Sequence, residues 1–328
     1  MHFAILYQMI TITQKNITQK SQYVLFDITT LELNSYAPFD IFIKKEDGFV
    51  VIIKMSTLLS DSMYNKLKKQ DKLYISAKSH GITSLQCSHL IQYAQANVDS
   101  NKKLLDLLYI IQKKNYPRLS KENYKEEVTL CINHVIETII YIIEKKKDFI
   151  KDTIPYFSDS YELESHSLHV ALYAVNLGFL LNFNKNELFQ IGLAGLLHDL
   201  GLKTIDENIL QKDSKLETKE LNIINKHPAK SVTFAEHNHI HNPYVIEAIM
   251  HHHERYDGSG YPDGLFEREI SKEASILGIC DVFDALTSDR PYRNKLTYFE
   301  ALKFMIKDES MINKFNHKYL QTFLKSLI

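Results

Sequence analysis

Apolar and polar positions follow different periods in the two parts of the chain. Near the N-terminus, two runs rich in Ile, Phe and Val, Phe39 to Ile43 and Phe49 to Ile53, flank the turn signal Glu46-Asp47-Gly48 and predict a β-hairpin. A short helix is predicted by apolar positions at helical spacing, namely Leu58, Leu59, Met63 and Leu67. Lys72 to Ser76 predicts a further strand, which makes this part a small α+β module.

From about Asn101 the apolar positions recur at helical spacing. One predicted helix carries Leu104, Leu105, Leu108 and Ile111, and a second runs from Glu126 to Ile150. Asn115-Tyr116-Pro117 is expected to separate them, because a residue before proline disfavours the helical conformation. These helices either connect an input module to an output module or only pack against the second domain.

After Tyr156 helical periods dominate. Further helices are predicted around Val170 to Leu181, Leu188 to Leu197, Glu217 to Glu236, Pro243 to His253 and Ser271 to Leu286. The fold class is therefore mainly α: a C-terminal helical bundle preceded by connector helices and a small α+β N-terminal domain. We place the domains at residues 1–110, with a regulatory, sensory or interaction role, and at residues 111–328.

Composition narrows the class of protein without identifying it. The chain has 39 basic and 40 acidic residues and a net charge of -1, which disfavours non-specific binding to DNA. Cys87, Cys131 and Cys280 form no close pair, so we expect neither a disulfide scaffold nor a cysteine zinc site. Met1 to Ile10 lacks the features of a signal peptide, and no apolar run is long enough to span a membrane. A cytoplasmic location is predicted.

Histidines with acidic neighbours are the first candidates for chemistry. Glu162 and His166 are four residues apart on a predicted helix and share a face. His198-Asp199 ends an apolar helix, where a buried carboxylate needs a partner such as a metal. His227 precedes a proline. Taken alone, each of these signals is also explained by ordinary surface or structural residues.

A second cluster lies nearer the C-terminus. His251-His252-His253-Glu254-Arg255 supplies successive imidazoles, and the loop from Tyr256 to Gly264 supplies glycines and aromatic rings for a nucleotide. Asp281 sits among apolar residues, and Arg290 and Arg293 suit bidentate contact with phosphate. With no cysteine among them, these ligands favour Fe, Mn or Mg over a structural zinc.

These motifs resemble the HD-GYP family, the branch of the HD-domain phosphohydrolases that acts on cyclic di-GMP. The resemblance covers roughly Tyr156 to the C-terminus. It rests on His198-Asp199, His252-His253-Glu254-Arg255, Asp257 to Pro262, and Asp281 to Arg293. It implies metal-dependent hydrolysis of cyclic di-GMP to pGpG, with further cleavage to GMP left open, as part of bacterial second-messenger signalling.

The resemblance also implies residue roles. His198 and Asp199 would be catalytic, and Asp199 would bridge metals of a bi- or trinuclear centre of Fe or Mn. The implied metal ligands are Glu162, His166, His198, Asp199, His227, His252, His253 and Asp281. Gly260, Tyr261 and Pro262 would line the substrate, and Arg290 and Arg293 would hold its phosphate.

The chain departs from the family pattern beside its His-Asp motif. Leu202 replaces the usual lysine and is followed by Lys203, Asp206 replaces a proline, and Ser231 replaces a glycine. Two alternatives therefore stay open: a module that binds a cyclic dinucleotide or a protein without turnover, and a phosphodiesterase for cyclic GMP-AMP. A signalling partner protein and a homodimer through the connector helices are further options.

Overall fold

The computed structural model describes residues 23–26, 41–46, 48–53, 60–70, 72–76, 94, 97, 99–120, 126–157, 162–212, 214–290 and 293–327. The chain divides into two compact units, Met1–Ala96 and Asn97–Ile328. Parts of four predictions lie outside the described residues: residues 1–10, Phe39 of the hairpin, Leu58 and Leu59 of the short helix, and Cys87.

The N-terminal unit contains a four-stranded sheet and a helix. Its described elements are β1 (Tyr23–Phe26), β2 (Ile41–Lys45), β3 (Gly48–Ile53), α1 (Asp61–Lys68) and β4 (Leu73–Ser76). The strand order is β1-β4-β2-β3, with antiparallel neighbours throughout. The predicted hairpin is confirmed as β2 and β3, and the predicted strand at 72–76 is confirmed as β4.

The second unit is helical. Its α-helices are α2 (Asn101–Leu119), α3 (Glu126–Lys145), α4 (Phe149–Thr153), α5 (Leu163–Leu180), α6 (Lys185–Leu197), α7 (Glu207–Leu210), α8 (Thr218–Ile224), α9 (His227–His237), α10 (Pro243–His251), α11 (Lys272–Thr287), α12 (Tyr298–Lys307) and α13 (His317–Leu327). Short 3₁₀ segments span Ile154–Tyr156, Leu200–Thr204 and Glu267–Glu269. The predicted fold class, mainly α with a small α+β N-terminal part, is confirmed.

Helix boundaries differ from the prediction at several points. The break expected at Asn115-Tyr116-Pro117 is wrong, because α2 continues through Pro117 to Leu119; a proline in the last turn removes one hydrogen bond only. The single helix expected from Glu217 to Glu236 is two helices, α8 and α9, and Pro228 stands in the first turn of α9, where proline is favoured. The helical unit begins at Asn97, before α2, and α2 packs on α5.

Helix α5 forms the centre of this unit. Every residue from Ser165 to Gly178 is buried, and α2, α3, α6, α11 and α13 all contact the helix. A helix that is apolar on all sides requires such complete coverage. Burial on every side also fixes the rotation of α5, and with it the direction of any polar side chain that the helix carries.

Two further features concern the pairing of the cysteines and the presence of membrane-spanning helices. Cys131 is disulfide-bonded, whereas Cys280 is free and buried. The spacing of the cysteines did not indicate this bond, because spacing says nothing about pairs that only the fold brings together. Among the described residues, no helix is both long and apolar enough to cross a membrane.

Candidate metal centre

Helix ends bring the predicted ligands to one place. His198 and Asp199 follow the last residue of α6, His227 is the first residue of α9, and His252 and His253 follow α10. His166 and Asp281 instead lie within α5 and α11, the two helices that pack against each other. Six of these seven residues are at least nine-tenths buried, namely His166, His198, Asp199, His227, His252 and Asp281.

Asp199 stands at the middle of the cluster. Its Oδ1 atom lies 3.0 Å from His227 Nε2, while its Oδ2 atom lies 3.4 Å from both His166 Nε2 and His198 Nε2. The side chains form two groups that could each hold a metal ion: Asp199, His227, His252 and His253, and His166, His198 and Asp199. The two groups share only Asp199, so its carboxylate could contact an ion in each of them.

Each of four imidazoles has its Nδ1 atom held by an acceptor. His198 Nδ1 donates to Gly195 O at 2.9 Å, His227 Nδ1 to Ile224 O at 2.8 Å, and His252 Nδ1 to Ile249 O at 2.7 Å. His166 Nδ1 contacts the Asp284 carboxylate at 2.7 Å. A proton held at Nδ1 leaves a lone pair at Nε2 of the neutral ring, so four lone pairs point into the cluster.

The convergence of these nitrogens fits a cation. His227 Nε2 lies 3.3 Å from His252 Nε2 and 3.2 Å from His253 Nε2. Lone pairs at this distance repel unless a proton or a metal ion lies between them. His198 Nε2 is buried and makes no hydrogen bond within the described part of the chain. Asp281 adds oxygens 3.3 Å from His166 Nε2 and 3.8 Å from His253 Nδ1.

Burial and mutual charge set the protonation of the cluster. Burial lowers the pKa of His253 to about 3, although Asp281 opposes that shift. Burial lowers the pKa of His252 as well. Burial alone would raise the pKa of Asp199, but His198, His166 and His227 hold that pKa well below its usual value. These shifts favour neutral rings at His252 and His253 and an ionised carboxylate at Asp199, as metal ligands require. At His227, Asp199 raises the pKa despite burial, so a metal would bind there with loss of a proton.

The Gly-Tyr-Pro loop rests on this cluster. The Tyr261 ring stacks on the His253 ring, with centroids 4.7 Å apart and planes at 27°, and the Tyr261–Pro262 peptide is cis. A Cβ atom at Gly260 would lie 2.4 Å from Arg255 N and 2.5 Å from His253 O, so only glycine fits there. The loop thus places one aromatic ring directly beside the predicted ligands.

Two predicted site residues, Glu162 and Arg293, bond to groups outside this cluster. Glu162 precedes α5 rather than belonging to it, and both its carboxylate oxygens accept hydrogen bonds from Lys113 Nζ, at 3.1 and 3.0 Å. The Arg293 guanidinium donates to backbone carbonyls near the end of α11, including Leu286 O at 3.1 Å. Arg290 pairs through its backbone with Arg293, so its main chain fixes the turn that follows α11.

The departures from the family pattern have visible partners. Lys203 Nζ donates to Glu164 Oε1 at 2.8 Å, and it is therefore committed to α5 rather than to the ligand cluster. Gly201 N donates to Ser231 Oγ at 2.8 Å, so the serine hydroxyl ties the 3₁₀ segment to α9. Leu202 is half-buried and leaves no cation at its position.

Sequence reasoning missed two buried acids that hold the site. Asp284 contacts His166 and His169, and the spacing of three residues in both His166/His169 and Asp281/Asp284 was the available signal. Glu254 accepts hydrogen bonds from the backbone amides of residues 263–265 and so holds the loop. Glu254 lies within the quoted motif but was given no role there, since its partners are main-chain groups about ten residues away.

Comparison with known proteins agrees with this geometry. Residues 138–313 match the family described as HD domain. The chain is 37% identical over 148 residues to the cyclic di-GMP phosphodiesterase PA4108 of Pseudomonas aeruginosa, covering 45% of this chain and 36% of that protein. It is 37% identical over 145 residues to the 3'3'-cGAMP-specific phosphodiesterase 1 of Vibrio cholerae, covering 43% and 32%.

A solved structure shares the fold. Bd1817, a HDG"Y"P protein from Bdellovibrio bacteriovorus, superposes with a TM-score of 0.63 at 19% identity, covering 93% of this chain and 99% of that one. The chain spans about a third of the length of the two curated relatives, 36% and 32% respectively. Its activity and substrate therefore have to be argued from its own residues.

Proposed function

The chain belongs to the HD-domain family, in its HD-GYP branch, and from that premise we propose that it hydrolyses a cyclic dinucleotide in a metal-dependent reaction. The observation that carries this proposal is the arrangement around Asp199. Its two carboxylate oxygens face separate groups of imidazoles, and four of those rings hold their Nδ1 protons outward and their Nε2 lone pairs inward.

The proposed centre holds two metal ions, Fe or Mn. The support for two is that the ligands form two groups joined by Asp199, while Glu162 is engaged by Lys113. Fe and Mn suit the imidazole and carboxylate ligands better than a metal that selects thiolates. When bound, the ions lower the pKa of a coordinated water and offset charge on the phosphoryl oxygens.

The remaining roles belong to groups of the chain itself. Tyr261 offers an aromatic face for a base, and Gly260 lets the loop backbone approach the His253 segment closely. Pro262, the next residue of the loop, is also proposed to line the substrate. Arg290 is the proposed phosphate contact, whereas Arg293 supports it by holding the end of α11 through backbone carbonyls.

Cyclic di-GMP is the proposed substrate, with product pGpG and further cleavage to GMP as a second step. Cyclic GMP-AMP is the competing substrate, since relatives named for either nucleotide share 37% identity with this chain. Equal concentrations of both dinucleotides in one assay, separated by chromatography, decide between them. Preferential loss of cyclic GMP-AMP would overturn the substrate assignment but not the reaction class.

A receptor that binds the dinucleotide without cleaving it is the second candidate. The absence of a lysine at position 202 favours it. Leu202 stands where the resemblance implies a lysine, and Lys203 is bonded to Glu164. The Leu202→Lys variant tests this. If the wild type binds the dinucleotide intact while Leu202→Lys cleaves it, the chain is a receptor; if both cleave it at similar rates, the lysine is dispensable.

Roles are also proposed for the N-terminal unit and for the helices α2 and α3. The unit Met1–Ala96 is proposed to regulate the second unit or to contact a signalling partner protein. The helices α2 and α3 are the proposed homodimer surface. The proposed location is the cytoplasm, where a second messenger acts.

The direct test is product analysis with a double variant. Purified protein loaded anaerobically with Fe(II) or Mn(II) is expected to convert cyclic di-GMP to pGpG or GMP. His198→Ala combined with Asp199→Ala removes the bridge and one imidazole, and it is expected to abolish product. Unchanged hydrolysis by the double variant would refute the proposal.

A further inference from the structure

Two pairs of buried side chains face each other one helical turn apart. His166 and His169 lie on α5, and Asp281 and Asp284 lie on α11. The Asp284 side chain contacts both histidines: its Oδ2 atom accepts from His166 Nδ1 at 2.7 Å and its Oδ1 atom from His169 Nδ1 at 2.8 Å. One carboxylate is therefore shared between a predicted metal ligand and a histidine outside both ligand groups.

His169 is fixed on its other side as well. Its ring stacks on the Phe157 ring, with centroids 4.1 Å apart and planes at 8°, and the Tyr109 ring meets its edge at 5.5 Å. The Tyr109 hydroxyl is hydrogen-bonded to His169 Nε2. Because His169 Nδ1 donates to Asp284, its Nε2 atom carries the lone pair, and the Tyr109 hydroxyl is the donor.

We propose that Asp284, His169 and Tyr109 are positioning residues that set the tautomer and ring orientation of the ligand His166 and connect it to helix α2. This inference rests on the proposed metal-dependent function. A carboxylate that accepts from Nδ1–H fixes the tautomer of a metal-binding imidazole and makes its other nitrogen a better ligand. The shared carboxylate extends that control from His166 to His169 and then to α2.

The connection predicts a selective effect on metal binding. His166 belongs to the group formed with His198 and Asp199, and not to the group that contains His227. Disturbing Asp284 or Tyr109 should therefore weaken one of two metal-binding constants and leave the other unchanged. A side chain that only stabilised the core would weaken both sites together or neither.

The experiment is a Mn(II) titration of chelator-treated full-length protein, with free Mn(II) followed by electron paramagnetic resonance. Asp284→Asn keeps the shape of the side chain, but its NH₂ group faces one of the two histidines with a donor instead of an acceptor. The Mn(II)-binding constant of the group containing His166 should therefore weaken by about 10- to 100-fold. Tyr109→Phe removes one hydroxyl from a half-buried ring and should weaken the same constant by about fivefold, the usual value of one hydrogen bond.

The matched control is Tyr173→Phe. Tyr173 lies on α5 one turn beyond His169, and its buried hydroxyl makes no hydrogen bond within the described residues. Both constants of Tyr173→Phe should equal those of the wild type. The inference is overturned if Tyr109→Phe behaves like this control, or if Asp284→Asn weakens both constants equally. These readings are independent of turnover: a wild type that binds two Mn(II) ions and hydrolyses nothing would refute the proposed function alone.

Discussion

Replacing Glu254 by Gln tests how the Gly-Tyr-Pro loop is held. The Glu254 side chain is 4% exposed, and its two oxygens accept three hydrogen bonds from backbone amides: Asp263 N at 2.7 Å, Gly264 N at 3.1 Å and Leu265 N at 3.1 Å. Glutamine supplies only one accepting oxygen. Its NH₂ group would face the amide of Leu265, so one hydrogen bond becomes a contact between two donors.

The magnitude follows from these contacts. A hydrogen bond to a charged group contributes about 1.5–3 kcal/mol, and a neutral one about 0.5–1.5 kcal/mol. Losing one charged bond and converting two others to neutral bonds should cost the loop about 5 kcal/mol. Since every 1.4 kcal/mol is tenfold, the amides of residues 263–265 should exchange their hydrogens more than about 1,000-fold faster.

Hydrogen exchange of residues 257–266, read by mass spectrometry, measures this effect. The KM for cyclic di-GMP should also rise, because Tyr261 lies in this loop and moves with it. The control is Glu269→Gln, an exposed carboxylate in the adjoining segment that accepts one backbone hydrogen bond, from Phe266 N at 2.8 Å. It should leave both readings near those of the wild type. Exchange within twofold of the wild type in Glu254→Gln would refute the reasoning.

Other substitutions and conditions have equally definite outcomes. A Cβ at Gly278 would lie 2.7 Å from the His252 carbonyl oxygen, so Gly278→Ala should separate α11 from the ligand segment and lower Mn(II) affinity about tenfold; unchanged titration would contradict it. Lys113→Met breaks an ion pair whose side chains are 66% and 43% exposed, so a thermal melt should show almost no loss of stability. Metal uptake should release protons in unbuffered solution, because Asp199 raises the pKa of His227 despite its burial and a metal must displace that proton; uptake at constant pH would contradict it.

The helices and most ligands were predictable because they follow local rules. Apolar periodicity located α5, α6 and α11, and the motif around His198-Asp199 and His252-His253 marked residues that the fold does bring together. Periodicity reports burial on one face and is strong in long helices. It therefore gave the architecture but not the ends of individual helices, as the continuation of α2 through Pro117 shows.

Residues that act through distant partners were not predictable in this way. Glu162 looked like a ligand from its spacing to His166, yet the chain turns before α5 and Lys113, 49 residues earlier, takes both its oxygens. Arg293 looked like a phosphate contact, yet its guanidinium bonds to carbonyls of α11. A charged side chain binds the nearest opposite group or carbonyl, and only the fold decides which one is near.

We propose that the imidazoles around Asp199 hold the metal that hydrolysis needs. The most direct test is the rate of cyclic di-GMP hydrolysis as Mn(II) is added to metal-free protein, comparing the wild type with His198→Ala and with His237→Ala, an exposed histidine outside the cluster. Activity is expected to rise until two ions are bound in the wild type and in His237→Ala, and to stay absent in His198→Ala. Activity in metal-free protein, or in His198→Ala at the wild-type level, would contradict it.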